Sequence, residues 1–228
     1  IILDGDKEGA GKSYFSLGGV EHSHDHMKLI WSYDDAGSEF YSVRIRDLAA
    51  GRDTDDLIEN TGGGGVFDST ASGLFYTLLD ENHRPVAIRY HLLGSAVEDD
   101  VTIYEEADPG FFMDVHGSLL NDYIFISIND HETSEIRMIP ATDPVAEPKI
   151  IAPPETGVQY SVCEAGDRLF ILTNKDAKDF KICEAPSNDP RPENWTELVP
   201  HKAGRLILSV SAYRDHMVRL EREDGLPR

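Results

Sequence analysis

The chain has 228 residues, with 42 acidic against 21 basic side chains, a formal net charge of −21 and 40% hydrophobic residues. That charge argues against nucleic-acid binding, which needs a basic footprint, and no apolar run approaches the roughly 18 residues of a membrane span. What remains is a chain with ample apolar material for a core and an acidic surface, read first as favouring solubility and alternatively as steering basic peptides.

Short apolar strands that follow a Gly, Asp or Asn turn recur along the chain, with centres at Ile30, Phe75, Ile124, Phe170 and Val218. Spacings of 45 to 49 residues, with no helical pattern between, predict an all-β fold. The period is that of a β-propeller built from four-stranded antiparallel blades.

In chain order, Ile1-Ile2-Leu3 matches the outer, fourth strand of a blade. The first unit, 14–61, predicts strands at Ser16–His22, Lys28–Tyr33, Phe40–Leu48 and Leu57–Asn60. The second, 62–107, predicts Gly65–Asp68, Leu74–Leu79, Val86–Leu92 and Val101–Glu105. The third, 108–155, predicts Phe111–Val115, Tyr123–Ile128, Glu135–Ile139 and Lys149–Ala152. The fourth, 156–200, predicts Gln159–Cys163, Arg168–Thr173, Phe180–Glu184 and Thr196–Val199. A partial unit, 201–228, holds first and second strands at Leu208–Tyr213 and Met217–Glu221, and the chain stops where a third should start. The expectation is a partial propeller, four full blades plus terminal strands of two more, taken from inside a longer protein. Its unpaired edges make an edge-strand homodimer one expectation.

The motifs that resemble chemistry dissolve on inspection. Gly11-Lys12-Ser13 lacks the first glycine of a P-loop, because residue 6 is Asp, and the following Tyr-Phe-Ser-Leu-Gly-Gly-Val is a poor helix. His22, His24 and His26 alternate as metal ligands can on a strand, but fall in a predicted hairpin turn, where exposed polar residues are expected. Gly62–Gly65 reads as a permissive link between blades. Glu98-Asp99-Asp100 and Glu105-Glu106-Ala107-Asp108 read as solvated strand ends, or as the rim of a channel that favours cationic peptide ends. Cys163 and Cys183 fall in neighbouring strands; a bridge is topologically allowed, but two buried free thiols in a reducing cytoplasm are expected. No G-x-S-x-G elbow occurs. No catalytic, cofactor-binding or metal-binding residue is assigned.

Several segments in order carry a family resemblance. They are Gly37-Ser38-Glu39-Phe40-Tyr41-Ser42-Val43-Arg44-Ile45-Arg46-Asp47-Leu48, Leu79-Asp80-Glu81-Asn82-His83-Arg84-Pro85 with His91 and Gly94, and His131-Glu132-Thr133-Ser134-Glu135. Leu172-Thr173-Asn174, Arg214-Asp215-His216 and Glu221-Arg222-Glu223-Asp224-Gly225-Leu226-Pro227 continue the series. Together they resemble the propeller of oligopeptidase B (protease II), in the prolyl oligopeptidase family of serine peptidases. The resemblance implies a seven-bladed propeller that restricts substrates by size, joined in the same parent chain to an α/β-hydrolase domain with a Ser, Asp and His triad. It further implies cleavage of short peptides after Arg or Lys in a cytoplasmic enzyme. No triad residue maps onto this segment, which is expected to be inactive alone and to need no cofactor. Thr133, Ser134 and Glu135 match a family motif and are expected to fix a turn. The alternative is a stand-alone propeller serving as a protein-interaction platform. A sugar- or metal-binding propeller ranks behind both, because the inner strands offer mainly apolar residues and scattered histidines.

Overall fold

The computed structural model describes residues 1–213 and 215–228; Arg214, in the last of the resembling segments, lies outside the described residues. Every sheet is antiparallel, and the strands follow one another in chain order with hairpin connections. The first sheet holds β1 (Ser16–His22), β2 (Lys28–Asp34), β3 (Tyr41–Asp47) and β4 (Arg52–Thr61). The second holds β5 (Val66–Phe67), β6 (Gly73–Leu79), β7 (Pro85–Leu92) and β8 (Val101–Glu105). A single bridge, Thr61 to Leu78, joins these two sheets. The third is β9 (Phe112–Gly117), β10 (Tyr123–Asn129), β11 (Ser134–Pro140) and β12 (Lys149–Ile150). The fourth is β13 (Tyr160–Ala165), β14 (Arg168–Thr173), β15 (Lys181–Pro186) and β16 (Thr196–Val199), and a fifth holds β17 (Arg205–Ala212), β18 (Met217–Glu223) and β19 (Leu226–Pro227).

The second strand of each of the first four sheets is an apolar run rather than an alternation, and the packing explains why. Phe75, Ile88 and Tyr90 of the second sheet meet Met113, Val115, Ile124 and Ile126 of the third. On the other face of the third sheet, Phe125 and Met138 meet Tyr160, Leu169 and Ile171 of the fourth. The same alternation links the first sheet to the second and the fourth to the fifth. Each inner sheet is therefore covered on both faces, so a run of at least three consecutive residues in its second strand is buried. A side chain such as Ile124, with no exposed surface, contributes roughly 1.5–3 kcal/mol by burial.

One device closes the hairpin between the second and third strands in successive sheets. The Asp34 carboxylate accepts the N–H groups of Ala36, Gly37 and Glu39. Asp80 accepts those of Asn82 and Arg84, and Asp130 those of Glu132 and Thr133. In the fourth sheet Asn174 accepts instead from Gln159 N–H at 2.7 Å, across the blade. Asp and Asn make such turns because their short side chains mimic a backbone acceptor. Thus Asp130, more than the hydroxyls of Thr133 and Ser134, fixes the turn before β11. Glu135 instead reaches along its own strand and accepts from Arg137 Nε at 2.6 Å, and the Arg137 guanidinium lies 4.5 Å over the Tyr104 ring of the preceding sheet.

The structure corrects several expectations. Residues 1–3 are not a strand: Ile1 and Ile2 are exposed, no described strand pairs with them, and the Asp4 carboxylate accepts from Lys7 N–H to cap the short helix α1 (Gly5–Glu8). A third strand does begin in the fifth sheet, because Leu226 and Pro227 pair with Glu223 and Arg222. The strands expected at Gly65–Asp68 and Lys149–Ala152 shrink to two residues each. Cys163 is half-buried and Cys183 buried, and both are free.

Candidate functional site

The first strands of successive sheets line two adjoining cavities, which places them around a common axis. The larger, about 510 Å³, lies among β1, β5 and β9; the smaller, about 250 Å³, lies among β9, β13 and β17. The segment His116 to Leu119 belongs to both walls.

Glycine lets the first wall come close. Gly19 N–H donates to Gly63 O at 2.8 Å and to Ser32 Oγ at 2.8 Å, and the Ser32 hydroxyl donates to Gly63 O at 2.5 Å. A Cβ on Gly19 would lie 2.5 Å from that carbonyl oxygen. Gly63 has φ +85, with the Tyr41 ring 2.8 Å from where its Cβ would sit, so in the run after β4 this glycine is required by conformation and by contact.

The polar content of the axial wall differs from the expectation of apolar residues and scattered histidines. Glu21, His22, His24, Asp114 and His116 line the larger cavity, and no lysine or arginine is among the described lining residues. His22, His24 and His26 do sit in or beside the β1–β2 turn: His22 and His26 rings lie 4.6 Å apart, and His22 Nδ1 donates to Ser23 O at 2.9 Å. Among the described residues no three His, Cys, Asp or Glu side chains are arranged to hold a metal. The walls around His116 depress its imidazole pKa by desolvation, against the pull of Asp114, although the ring still meets cavity solvent. The cavity therefore carries negative charge from carboxylates and favours cations.

Neither acidic segment singled out from the sequence lines these cavities. Asp100, expected to be solvated, is buried instead. It accepts from Tyr76 Oη at 2.8 Å and lies 2.6 Å from His91 Nδ1. His91 Nε2 is 3.1 Å from Asp56, which also accepts from Gly94 N–H at 2.6 Å. Burial opposes the charge on Asp56, but Thr54, Gly94 and His91 together hold its carboxyl below the usual range. The His91 and Gly94 of the resembling segment thus tie β4 of the first sheet to β7 of the second. A histidine in an otherwise apolar strand was the available signal, since a fully buried imidazole needs partners. Likewise Lys12 is no phosphate ligand: it pairs with Asp35 at 2.9 Å and lies 4.2 Å over the Tyr33 ring.

The family model "Prolyl oligopeptidase, N-terminal beta-propeller domain" matches residues 1–228. The chain belongs to the prolyl oligopeptidase family. Among solved structures, oligopeptidase B from Leishmania major superposes with TM-score 0.93 at 27% identity, covering 100% of this chain and 32% of that one. Oligopeptidase B from Trypanosoma brucei, in a closed form with covalently bound antipain, gives TM-score 0.90 at 32% identity with the same coverage. Among curated relatives, a dipeptidyl aminopeptidase BI of Pseudoxanthomonas mexicana is 31% identical and protease 2 of Moraxella lacunata 30% identical. Each match covers 99% of this chain, which spans 31% of the first relative and 33% of the second. The five sheets are therefore propeller blades of this family, with their first strands at the axis. No described helix is long and apolar enough to cross a membrane.

Proposed function

We propose that this segment is the gating propeller of an oligopeptidase B-like serine peptidase that cleaves short peptides after Arg or Lys. Its blades are assigned to units 14–61, 62–107, 108–155 and 156–200, with a further one begun at 201–228. The chemistry belongs to a hydrolase domain of the same parent chain, where a serine attacks, a histidine moves protons and an aspartate orients it. The propeller's part is to admit extended peptides and exclude folded chains. The observation that carries this reading is the axial cavity, walled by the first strands and furnished with Glu21 and Asp114 but no described basic residue. Carboxylates there raise the local concentration of basic peptides without touching the scissile bond. The free thiols Cys163 and Cys183 suit a cytoplasmic enzyme.

The test is kinetic. In the intact protein, Glu21→Gln combined with Asp114→Asn should lower kcat/KM about two- to tenfold for arginyl peptides carrying several basic residues, with steep salt dependence in the parent enzyme. A dipeptide-sized arginyl substrate should be unaffected. Equal losses on both substrates, or none on either, refute the assignment of the cavity as the substrate path.

A further inference from the structure

Where the third and fourth sheets meet, one side chain is left without a partner. Glu164 in β13 is 3% exposed, and neither of its carboxyl oxygens has a hydrogen-bond donor among the described residues. Its polar neighbours are Ser118, the Leu120 N–H and Asp122, all in the turn between β9 and β10. The Ser118 hydroxyl oxygen accepts the N–H groups of Asp122 and Tyr123 at 3.1 and 3.0 Å, which leaves its O–H as the one hydroxyl donor on the Glu164 side of the turn. The other ionisable groups of this place are His116 at the end of β9, Cys163 beside Glu164 and Tyr213 after β17; no described lysine or arginine lines the cavity they share.

A buried carboxylate with no well-formed hydrogen bond and a second carboxylate beside it is costlier than a neutral carboxyl in the same position, even with the Ser118 hydroxyl and Leu120 N–H nearby to favour the charge. The carboxyl form, by contrast, carries no charge and can donate its one O–H to the Asp122 carboxylate. The stem of the turn it faces, His116 to Leu119, is the wall common to both axial cavities.

We propose that Glu164 is a proton-operated latch on the axial wall: protonated, it bridges to Asp122 and holds the 118–122 turn against β13; ionised, the two carboxylates repel and the turn releases. The consequence for substrate access rests on the axial-path reading; the latch itself does not. Burial raises the Glu164 pKa above that of a free glutamate; the Ser118 hydroxyl and Leu120 N–H pull it back, and the contact with Asp122 and its charge add to the rise. Between the two values the folded state binds more protons than the unfolded one. The latch's contribution is then complete below the free-glutamate value and is lost as pH rises through the folded one.

Cys163 lines the smaller cavity, and burial pushes its thiol up to about 11, so it is a slow reporter of wall opening. The experiment follows N-ethylmaleimide addition to Cys163 in the intact protein by peptide mass spectrometry, in the parent, Glu164→Gln and Asp122→Asn forms. Comparing forms at one pH cancels the thiolate fraction. The parent-to-variant rate ratio should be constant in acid and rise about tenfold toward neutral pH, the population change carried by one pH unit of titration. Both variants should lack this rise. Asp122→Asn, at an exposed turn position, keeps the test open if Glu164→Gln fails to fold. Ratios independent of pH, or a variant that retains the parent's profile, overturn the latch. Because the readout is labelling, its failure is separate from any failure of the peptidase reading.

Discussion

Removing one oxygen from Tyr160 should loosen the joint between the third and fourth sheets. The Tyr160 hydroxyl accepts from Ile136 N–H at 2.8 Å and from Ala152 N–H at 3.2 Å, and donates to Ala152 O at 3.0 Å. The residue is 5% exposed, and burial pushes its phenol up to about 12, with the two N–H donors pulling the other way. Tyr160→Phe keeps the ring that packs against Trp195 at 5.7 Å, so the apolar burial is retained. What is lost is the one side-chain acceptor, among the described residues, of two backbone N–H groups. Each stranded buried donor costs roughly 1–3 kcal/mol, which sets an expected loss of about 2–6 kcal/mol. Urea denaturation of the intact protein should show a lower midpoint with an unchanged slope. Native-state hydrogen exchange should show Ile136 and Ala152 amides losing protection before the other strands. Tyr14→Phe, at an exposed ring, is the control and should be silent. A Tyr160→Phe protein within about 0.5 kcal/mol of the parent, the range of a surface change, refutes the reasoning.

Other perturbations test the remaining joints. His91→Leu should cost about 2–5 kcal/mol, because it takes one hydrogen-bond partner from each of the buried Asp56 and Asp100 carboxylates; a silent substitution contradicts the assigned tie between the first two sheets. Gly73→Ala should cost about 1–3 kcal/mol, since its Cβ would lie 2.3 Å from Tyr90 Oη and 2.5 Å from His91 O; thermal melts check it. His116 has a depressed pKa, so the unfolded state binds more protons as pH falls below its ordinary value of 6.5. Stability should therefore be complete above that pH and decline below it, and His116→Gln should remove this part of the slope. Asp80 and Asp130 are held below the usual carboxylate range chiefly by the backbone donors Arg84 N–H and Glu132 N–H. Their contribution is present above the free value of 3.8 and lost in stronger acid, which Asp130→Ala should make visible as earlier acid unfolding by circular dichroism.

The strands were legible because each apolar second strand is bracketed by turn residues whose chemistry is local. Arg168–Thr173, Val101–Glu105 and Thr196–Val199 match the expected bounds. What failed depended on distant partners. Ile1–Leu3 has strand composition, but composition does not supply a neighbouring edge, and Asp4 turns the chain into a helical turn instead. Gly65–Asp68 shrank because the Asp68 side chain accepts from Thr70, Ser72 and Tyr90, pulling the strand's end into a turn. The site was less legible than the fold. Asp100 stands in an acidic run with Glu98 and Asp99, and only one turn of tight helix at Val97–Asp99 rotates it inward. Glu164 stands between Cys163 and Ala165 on a first strand and reads as surface until the neighbouring blade buries it, while Asp114, between Met113 and Val115, stays open to the cavity. Pairs such as Glu164 with Asp122, 42 positions apart, are set by blade stacking and have no local signature.

The measurement that bears most directly on the gating propeller is the length dependence of hydrolysis by the intact protein. A series of arginyl substrates, running from a short peptide through longer unstructured ones to a folded protein, is assayed for kcat/KM at fixed salt. The account predicts fast cleavage of the short peptides, a steep fall with length, and no cleavage of the folded protein. Comparable rates on the short peptide and the folded protein would contradict it.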